Sequence, residues 1–255
     1  MLHYAFLGSG SRGNALLVAG PRGRILVDCG FSLRETTRRL GALDLAPGDL
    51  DGVLLTHEHG DHAAGVPALA RRHELPVYAT HGTRRAVADE DGVPWRSLTP
   101  ERPLQLGGME VLPVPVPHDA REPVQFVLEA GGARLGMLTD LGHVTPHVLD
   151  CYAGCQALVL ETNHDRDLLA EGPYPAALKR RVGGRFGHLS NCQARDFLER
   201  ADTAKLSSLV AAHVSEQNNT RDLAREHLAA ARDCASGEIP VASQEQVSEW
   251  QAVGV

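Results

Sequence analysis

No stretch of this chain approaches the eighteen or so consecutive apolar residues that span a bilayer, and Met1-Leu2-His3-Tyr4 lacks the basic start and apolar core of a signal peptide. A soluble, cytoplasmic protein with no membrane partner is expected. Positive charge is also in short supply. Lys and Arg number 25 against 32 Asp and Glu, a formal charge of −7. That balance counts against a broad nucleic-acid-binding face, which needs surplus basic side chains to displace counterions. A local patch remains open at Lys179-Arg180-Arg181 with Arg185, readable as a solvated helix face or as a phosphate grip. Cysteine is sparse and irregular. Cys29, Cys151, Cys155, Cys192 and Cys234 make an odd set in a chain too large to need disulfide staples, so free thiols are expected. The Cys151–Cys155 spacing lacks the second pair of a structural zinc site, so buried or helix-face thiols are expected there.

Against these absences stands one dense run, His57-Glu58-His59-Gly60-Asp61-His62, in which four of six side chains can bind a metal. It follows the apolar segment 53–55 and precedes 63–72, where Val66, Leu69 and Ala70 recur at helical spacing. The ligands therefore fall on a loop between strand and helix. Side chains of adjacent residues diverge there, so Asp61 and His62 suit one metal while His57 and His59 converge on another. An aspartate at a helix start can be only an N-cap, and single histidines are often surface residues. Three histidines and an aspartate within six positions exceed what those explanations cover.

Hydrophobic residues make up 43% of 255, ample for a core, and no linker divides the chain, so a single domain over 1–255 is expected. Short β-like runs at 4–7, 15–19, 24–27, 53–55, 77–78 and 109–116 alternate with turns and with helical patterns at 33–40 and 63–72. From Val124 the outline repeats, with strands at 124–129, 134–138, 157–160 and 208–211 and helices at 191–200 and 220–231. This order predicts an α/β fold, an αββα sandwich of two mixed β-sheets flanked by helices, duplicated in outline. Alternate prolines in Leu112-Pro113-Val114-Pro115-Val116-Pro117 remove ladder donors, which predicts an edge strand or an extended segment feeding a loop. It delivers His118-Asp119. The stretch 235–255 reads as a last strand with a short helix, or as a tail.

Three further candidates sit where strands end: His118, Asp140 and His213. Together with Leu26-Val27-Asp28-Cys29-Gly30 and the run Thr56 through His62, they resemble the ordered motifs of the metallo-β-lactamase superfamily. Within it, the chain is similar to the YycJ (WalJ) subgroup. That likeness rests on Ser9-Gly10-Ser11-Arg12-Gly13-Asn14, Glu161-Thr162-Asn163-His164-Asp165, Gly172-Pro173-Tyr174-Pro175, Gly187-His188-Leu189-Ser190-Asn191 and His213-Val214-Ser215-Glu216-Gln217-Asn218-Asn219.

The resemblance implies one divalent ion held by His57, His59 and His118, a second held by Asp61, His62 and His213, and Asp140 bridging both. Zinc or manganese fits such ligands, and iron is admitted. Asp28 would lie beneath, accepting an N–H from a ligand histidine; its plainer reading is a turn residue before Gly30. A bridging aspartate points to glyoxalase-like thioesterases or to phosphodiesterases and nucleases, and the YycJ resemblance implies a phosphodiester hydrolase, most of all a DNA exonuclease. Two ions roughly 3.5–4 Å apart clamp the phosphodiester and activate a bridging hydroxide as nucleophile. Asp61 would orient it, and His188 or His164, with His188 preferred, would stabilise charge or protonate the departing oxygen. Arg180, Arg181 and Arg185 would grip the DNA strand, with Ser190 and Asn191 as further contacts. Ser11, Arg12 and Asn14 could donate to a phosphate or form an ordinary turn. The alternatives are a small-substrate phosphodiesterase of the cyclic-nucleotide kind, a glyoxalase-II-like thioesterase, and, outside hydrolysis, a di-iron redox protein or a metal-binding scaffold.

Overall fold

The structure, a computed structural model, describes residues 1–89 and 91–254. Strands β1 (His3–Gly8), β2 (Ala15–Gly20) and β3 (Gly23–Val27) form an antiparallel meander, to which β4 (Gly52–Leu54), β5 (Val77–Ala79) and β6 (Trp95–Ser97) add in parallel. The second sheet starts with antiparallel β7 (Leu104–Leu106), β8 (Met109–Pro115), β9 (Val124–Ala130) and β10 (Ala133–Leu138). It then continues in parallel through β11 (Ala157–Glu161) and β12 (Ser208–Ala212). Each sheet thus runs from an antiparallel meander into parallel strands, the outline repeat expected from the sequence. β13 (Gln251–Ala252) closes the first sheet against β1.

Period-two alternation sorts the side chains into layers. In β3, Ile25 and Val27 face the other sheet while Leu26 faces outward; in β9, Phe126 and Leu128 face inward while Val127 faces outward. The strands are apolar on both faces because both are covered. On the outside of the first sheet lie α1 (Leu33–Gly41), α2 (Gly60–Ala63), α3 (Val66–His73) and α4 (His81–Ala86). Leu40 of α1 and Leu69 and Ala70 of α3 meet Leu26 and Val53 in that layer. Over the second sheet lie α5 (Pro146–Tyr152), α6 (Arg166–Glu171), α7 (Ala176–Val182), α8 (Asn191–Arg200) and α9 (Arg221–Arg232), with Phe197 and Leu228 packed on Leu158 and Leu160. Each fully buried Leu, Ile or Phe contributes about 1.5–3 kcal/mol to stability. None of the described helices is long and apolar enough to cross a membrane.

The helix expected at 63–72 is broken in two. Pro67 has no N–H to carry the helical ladder through and opens α3, where that missing donor costs nothing, while residue 65 must be glycine because a Cβ there would lie 1.9 Å from the Phe31 carbonyl oxygen. The proline-rich strand follows expectation locally. β7 covers only Met109–Val111, and beyond it the Pro113 carbonyl, turned away from β9, accepts from the Glu101 N–H at 2.8 Å. In the 235–254 stretch, Ser236–Glu238 forms a 3-10 turn, Val241 bridges Ala211, and β13 follows. Val255 lies outside the described residues.

Strand direction fixes where chemistry can gather. β8, β10, β11 and β12 all end at one edge of the second sheet, and β3 and β4 end at the facing edge of the first. Asp28, the 57–62 run, His118, Asp140, Glu161 and His213 sit at or just after those ends.

Candidate active site

Three of these positions turn sharply out of their strands. Asp28, Asp140 and His213 hold left-handed backbone, with φ of 62°, 53° and 52°, a strained conformation that concentrates at functional sites. The 57–62 turn is clamped from below. Cys29 N–H donates to His62 O at 2.7 Å, Asn14 N–H donates to Asp61 O at 2.7 Å, and a Cβ on Gly30 would fall 1.8 Å from Asp61 O. Only glycine permits that approach.

Each buried histidine is oriented by a partner outside the cavity. Thr56 Oγ1 donates to Asp28 and so accepts from His57 Nδ1, at 2.9 Å. His62 Nδ1 donates to Asp28 Oδ2 at 2.8 Å, His118 Nδ1 to the Gly187 carbonyl at 3.0 Å, and His213 Nδ1 to Glu161 Oε1 at 2.9 Å. With Nδ1 committed as donor, the Nε2 lone pair of all four points inward. His57 Nε2 lies 3.0 Å and His118 Nε2 3.2 Å from His59 Nδ1. Ligand nitrogens 2.0–2.1 Å from one tetrahedral ion stand about 3.3 Å apart, so this triangle suits one cation.

A second triangle joins His62 Nε2 and His213 Nε2, each 3.5 Å from Asp61 Oδ2. Asp140 lies between the two sets: its Oδ2 is 3.3 Å from His62 Nε2, and it also groups with His57. The Asn14 amide reaches His62 Nε2 at 3.1 Å and Asp61 Oδ2 at 3.3 Å. Asp140 Oδ2 and His213 Nε2 are buried without a hydrogen-bond partner among the described residues. Two orphaned acceptors in a nest of lone pairs are what divalent cations satisfy, and the donor set is that of zinc, manganese or iron.

The electrostatics agree. Burial lowers the basicity of His57, reinforced by His62. Burial alone would raise Asp140, yet His213 and His62 hold its carboxyl well below the usual carboxylate range. Against the effect of burial, Asp140, Asp61 and Glu161 hold His213 up to about 10. The carboxylates pull for positive charge at the point where His213 and Asp61 converge.

His188 completes the cluster. Its Nδ1 donates at 2.9 Å to Glu161 Oε1, the oxygen that also receives His213 Nδ1, while Glu161 Oε2 accepts from Leu189 N–H at 2.9 Å. The imidazole of His188 lines a cavity of about 380 Å³ together with His59, Asp61, Asp119, Asp140 and His213. Four bonds to two carboxylates, Asp28 and Glu161, therefore hold the imidazoles of His57 (through Thr56), His62, His188 and His213.

A β-lactamase superfamily domain model matches residues 23–214. The chain belongs to the metallo-β-lactamase superfamily. It is 35% identical over 88% of its length to exodeoxyribonuclease YycJ of Bacillus anthracis, of which it covers 86%. It is 29% identical over 93% of its length to exodeoxyribonuclease WalJ of Streptococcus pneumoniae, of which it covers 90%. This places it in the YycJ/WalJ family. Among solved structures, the metallo-β-lactamase fold protein YhfI of Bacillus subtilis superposes with a TM-score of 0.72 at 18% identity, covering 97% of this chain and 98% of that one. The αββα arrangement of two mixed sheets flanked by helices is thus the metallo-β-lactamase fold.

In this superfamily member, the seven expected metal-binding residues converge, and Asp28 lies beneath two of the histidines. The other expected contacts separate. His164 does not line the cavity of about 380 Å³ and lines a neighbouring one, so of the two candidate proton donors His188 is the one that faces the ligand cluster. Ser190 and Asn191 are buried and structural. Ser190 Oγ caps α8 by accepting from Gln193 N–H at 3.3 Å, and the Asn191 amide pairs reciprocally with Asn219 at 2.8 and 2.9 Å. The arginines do not act as one patch. Arg181 lines the cavity, ion-paired with Asp119, while Arg180 lines the neighbouring cavity and Arg185 is exposed on the loop after α7. Glu161 and Asp119 were not singled out as site residues from the sequence, and Asn14 was read only as a possible phosphate donor or turn residue. For Glu161 the signal was a lone carboxylate ending an otherwise apolar strand.

Proposed function

We propose that this metallo-β-lactamase-fold enzyme is a two-metal phosphodiester hydrolase that removes nucleotides from the ends of DNA in the cytoplasm, with the whole chain as one catalytic unit. The observation that carries the reading is the pair of converging triangles with Asp140 between them, set beside an imidazole tethered by Glu161. The DNA end as substrate rests on the names of the relatives in Bacillus anthracis and Streptococcus pneumoniae.

His57, His59 and His118 would hold one ion; Asp61, His62 and His213 the other; and Asp140 would bridge. Bound divalent ions supply Lewis-acid stabilisation of phosphoryl charge and activate water at neutral pH. Asp61 orients the attacking water through Oδ2. The His188 ring, anchored at Nδ1 by Glu161, presents Nε2 to the cavity and, in its doubly protonated form, gives the Nε2 proton to the departing oxygen, leaving the neutral Nδ1–H ring on Glu161. Arg181, steadied by Asp119, offers a guanidinium to a non-bridging phosphate oxygen at the rim.

A second reading, a small phosphodiester as substrate, is favoured by the cavity volume of about 380 Å³, the size of a single ligand site. One experiment separates them. End-labelled linear duplex DNA is incubated with protein loaded with manganese or zinc, alongside a small chromogenic phosphodiester and an Asp61→Ala control. Stepwise shortening that the control lacks is expected. Turnover of the small phosphodiester alone selects the second reading, and turnover of neither overturns both.

A further inference from the structure

α7 is a wall between two cavities. Leu178, Arg181 and Val182 face the metal-ligand cavity, whereas Lys179, Arg180 and Gly183 line another of about 400 Å³. At 3.6 residues per turn these triplets lie on nearly opposite faces of the helix. The second cavity is completed by His164 and by Arg166 of α6. Lys179, Arg180 and Arg166 thus bring three positive charges to one cavity with no carboxylate among its lining residues, in a chain of net charge −7. Such like charges repel one another unless an anion lies between them.

The floor is built rather than superficial. His164 is 2% exposed and lies beside Gly183, and its buried Nδ1 has no hydrogen-bond partner among the described residues. Burial pushes His164 down to about 4, so at neutral pH the ring is uncharged and offers one N–H and one lone pair. Lys179 is held at the rim by its bond to the Ala170 carbonyl at 2.6 Å. Two guanidinium forks, an ammonium and an imidazole N–H match the several acceptor oxygens of a phosphate. A cation is repelled, and an apolar ligand would leave the imidazole unpaired.

We propose that this cavity is a second phosphate site, which takes a backbone phosphate of the strand whose reacting phosphodiester lies across α7. The proposal rests on the nuclease reading above. A helix with its side chains is about 10–12 Å wide. The contact is therefore available only to a substrate several nucleotides long, and it guides such a strand past the helix into the metal-ligand cavity.

The test pairs a binding readout with a kinetic one. Inorganic phosphate is titrated into full-length protein with labelled histidine, and the His164 ring resonances, assigned by their loss in His164→Gln, are followed by NMR. The expected result is a saturable His164 shift that disappears in Arg166→Gln/Arg180→Gln. On a twenty-nucleotide strand the same double variant raises KM roughly tenfold and makes the salt dependence shallower by about one unit of slope. Its turnover of a small phosphodiester stays as in the wild type. An unmoved His164, or a double variant with wild-type KM and salt slope, overturns the proposal. A shift with unchanged strand kinetics assigns the cavity to free phosphate and overturns the strand contact. If the wild type fails to shorten DNA, the nuclease reading fails, while the titration still reports on the cavity.

Discussion

His213 Nδ1 donates to Glu161 Oε1 at 2.9 Å, and that bond decides which nitrogen of His213 faces the cavity. The same oxygen receives His188 Nδ1 at 2.9 Å, so one carboxylate orients both a proposed metal ligand and the proposed proton donor. Glu161 itself stays ionised. Burial works against this, but His188 and His213 hold its carboxyl at about 2.

Glu161→Gln is expected to cost about 10–100-fold in both metal affinity and turnover, because an amide cannot accept from His213, His188, Leu189 and Leu141 as a carboxylate does. Titration with manganese and steady-state rates at saturating metal separate the two losses. Unchanged affinity and rate in a folded variant would remove Glu161 from the site.

Asp28 plays the matching part under the other histidines, bonding His62 Nδ1 at 2.8 Å and the Thr56 N–H at 2.8 Å from a left-handed position with φ 62°. Asp28→Asn is expected to keep Tm near the wild type, since asparagine tolerates that backbone, while weakening metal binding about 10–100-fold. Asp28→Ala is expected to lower Tm as well, through roughly 1–2 kcal/mol of backbone strain and an orphaned Thr56 N–H. Equal melting of the two variants would show that Asp28 serves the metal alone.

How much of this was readable in the sequence follows from locality. His57 to His62 lie together in the chain, and Asp140 and His213 each end an apolar run, so their convergence was legible. Glu161 was not, because a single carboxylate after Ala157–Leu160 reads equally well as a strand terminator until the fold brings His188 and His213 to it. Ser190 and Asn191 look like substrate contacts in a short polar motif, yet short polar side chains cap helices just as readily. Arg180 and Arg181 could not be told apart because α7 buries none of its residues, and without a buried stripe its rotation has no sequence signal. The sheets were legible because strands covered on both faces stay apolar throughout. β6 and β7 were missed because neither buries a residue fully, so they lack the apolar run that marked the equally short β4 and β5.

Acid stability supplies a prediction away from the site. Glu35 is held down to about 2 by hydrogen bonds from Arg38 and Arg39, and Arg39 also reaches the Leu7 and Gln244 carbonyls. A folded-state pKa below the unfolded one means the unfolded chain binds more protons in between. The contribution is therefore complete above the ordinary glutamate value and disappears as pH falls through about 2. Comparing Tm of Glu35→Gln with the wild type at pH 6 and at pH 2 should show a deficit at the higher pH that closes at the lower. A deficit of equal size at both values would contradict this.

The most direct test of the two-metal centre is the number of divalent ions bound per folded chain, measured by equilibrium dialysis and elemental analysis with manganese and with zinc. Two per chain in the wild type, falling to about one in His118→Ala, is the predicted result. A wild-type stoichiometry of one or none would contradict the paired site on which the proposed chemistry depends.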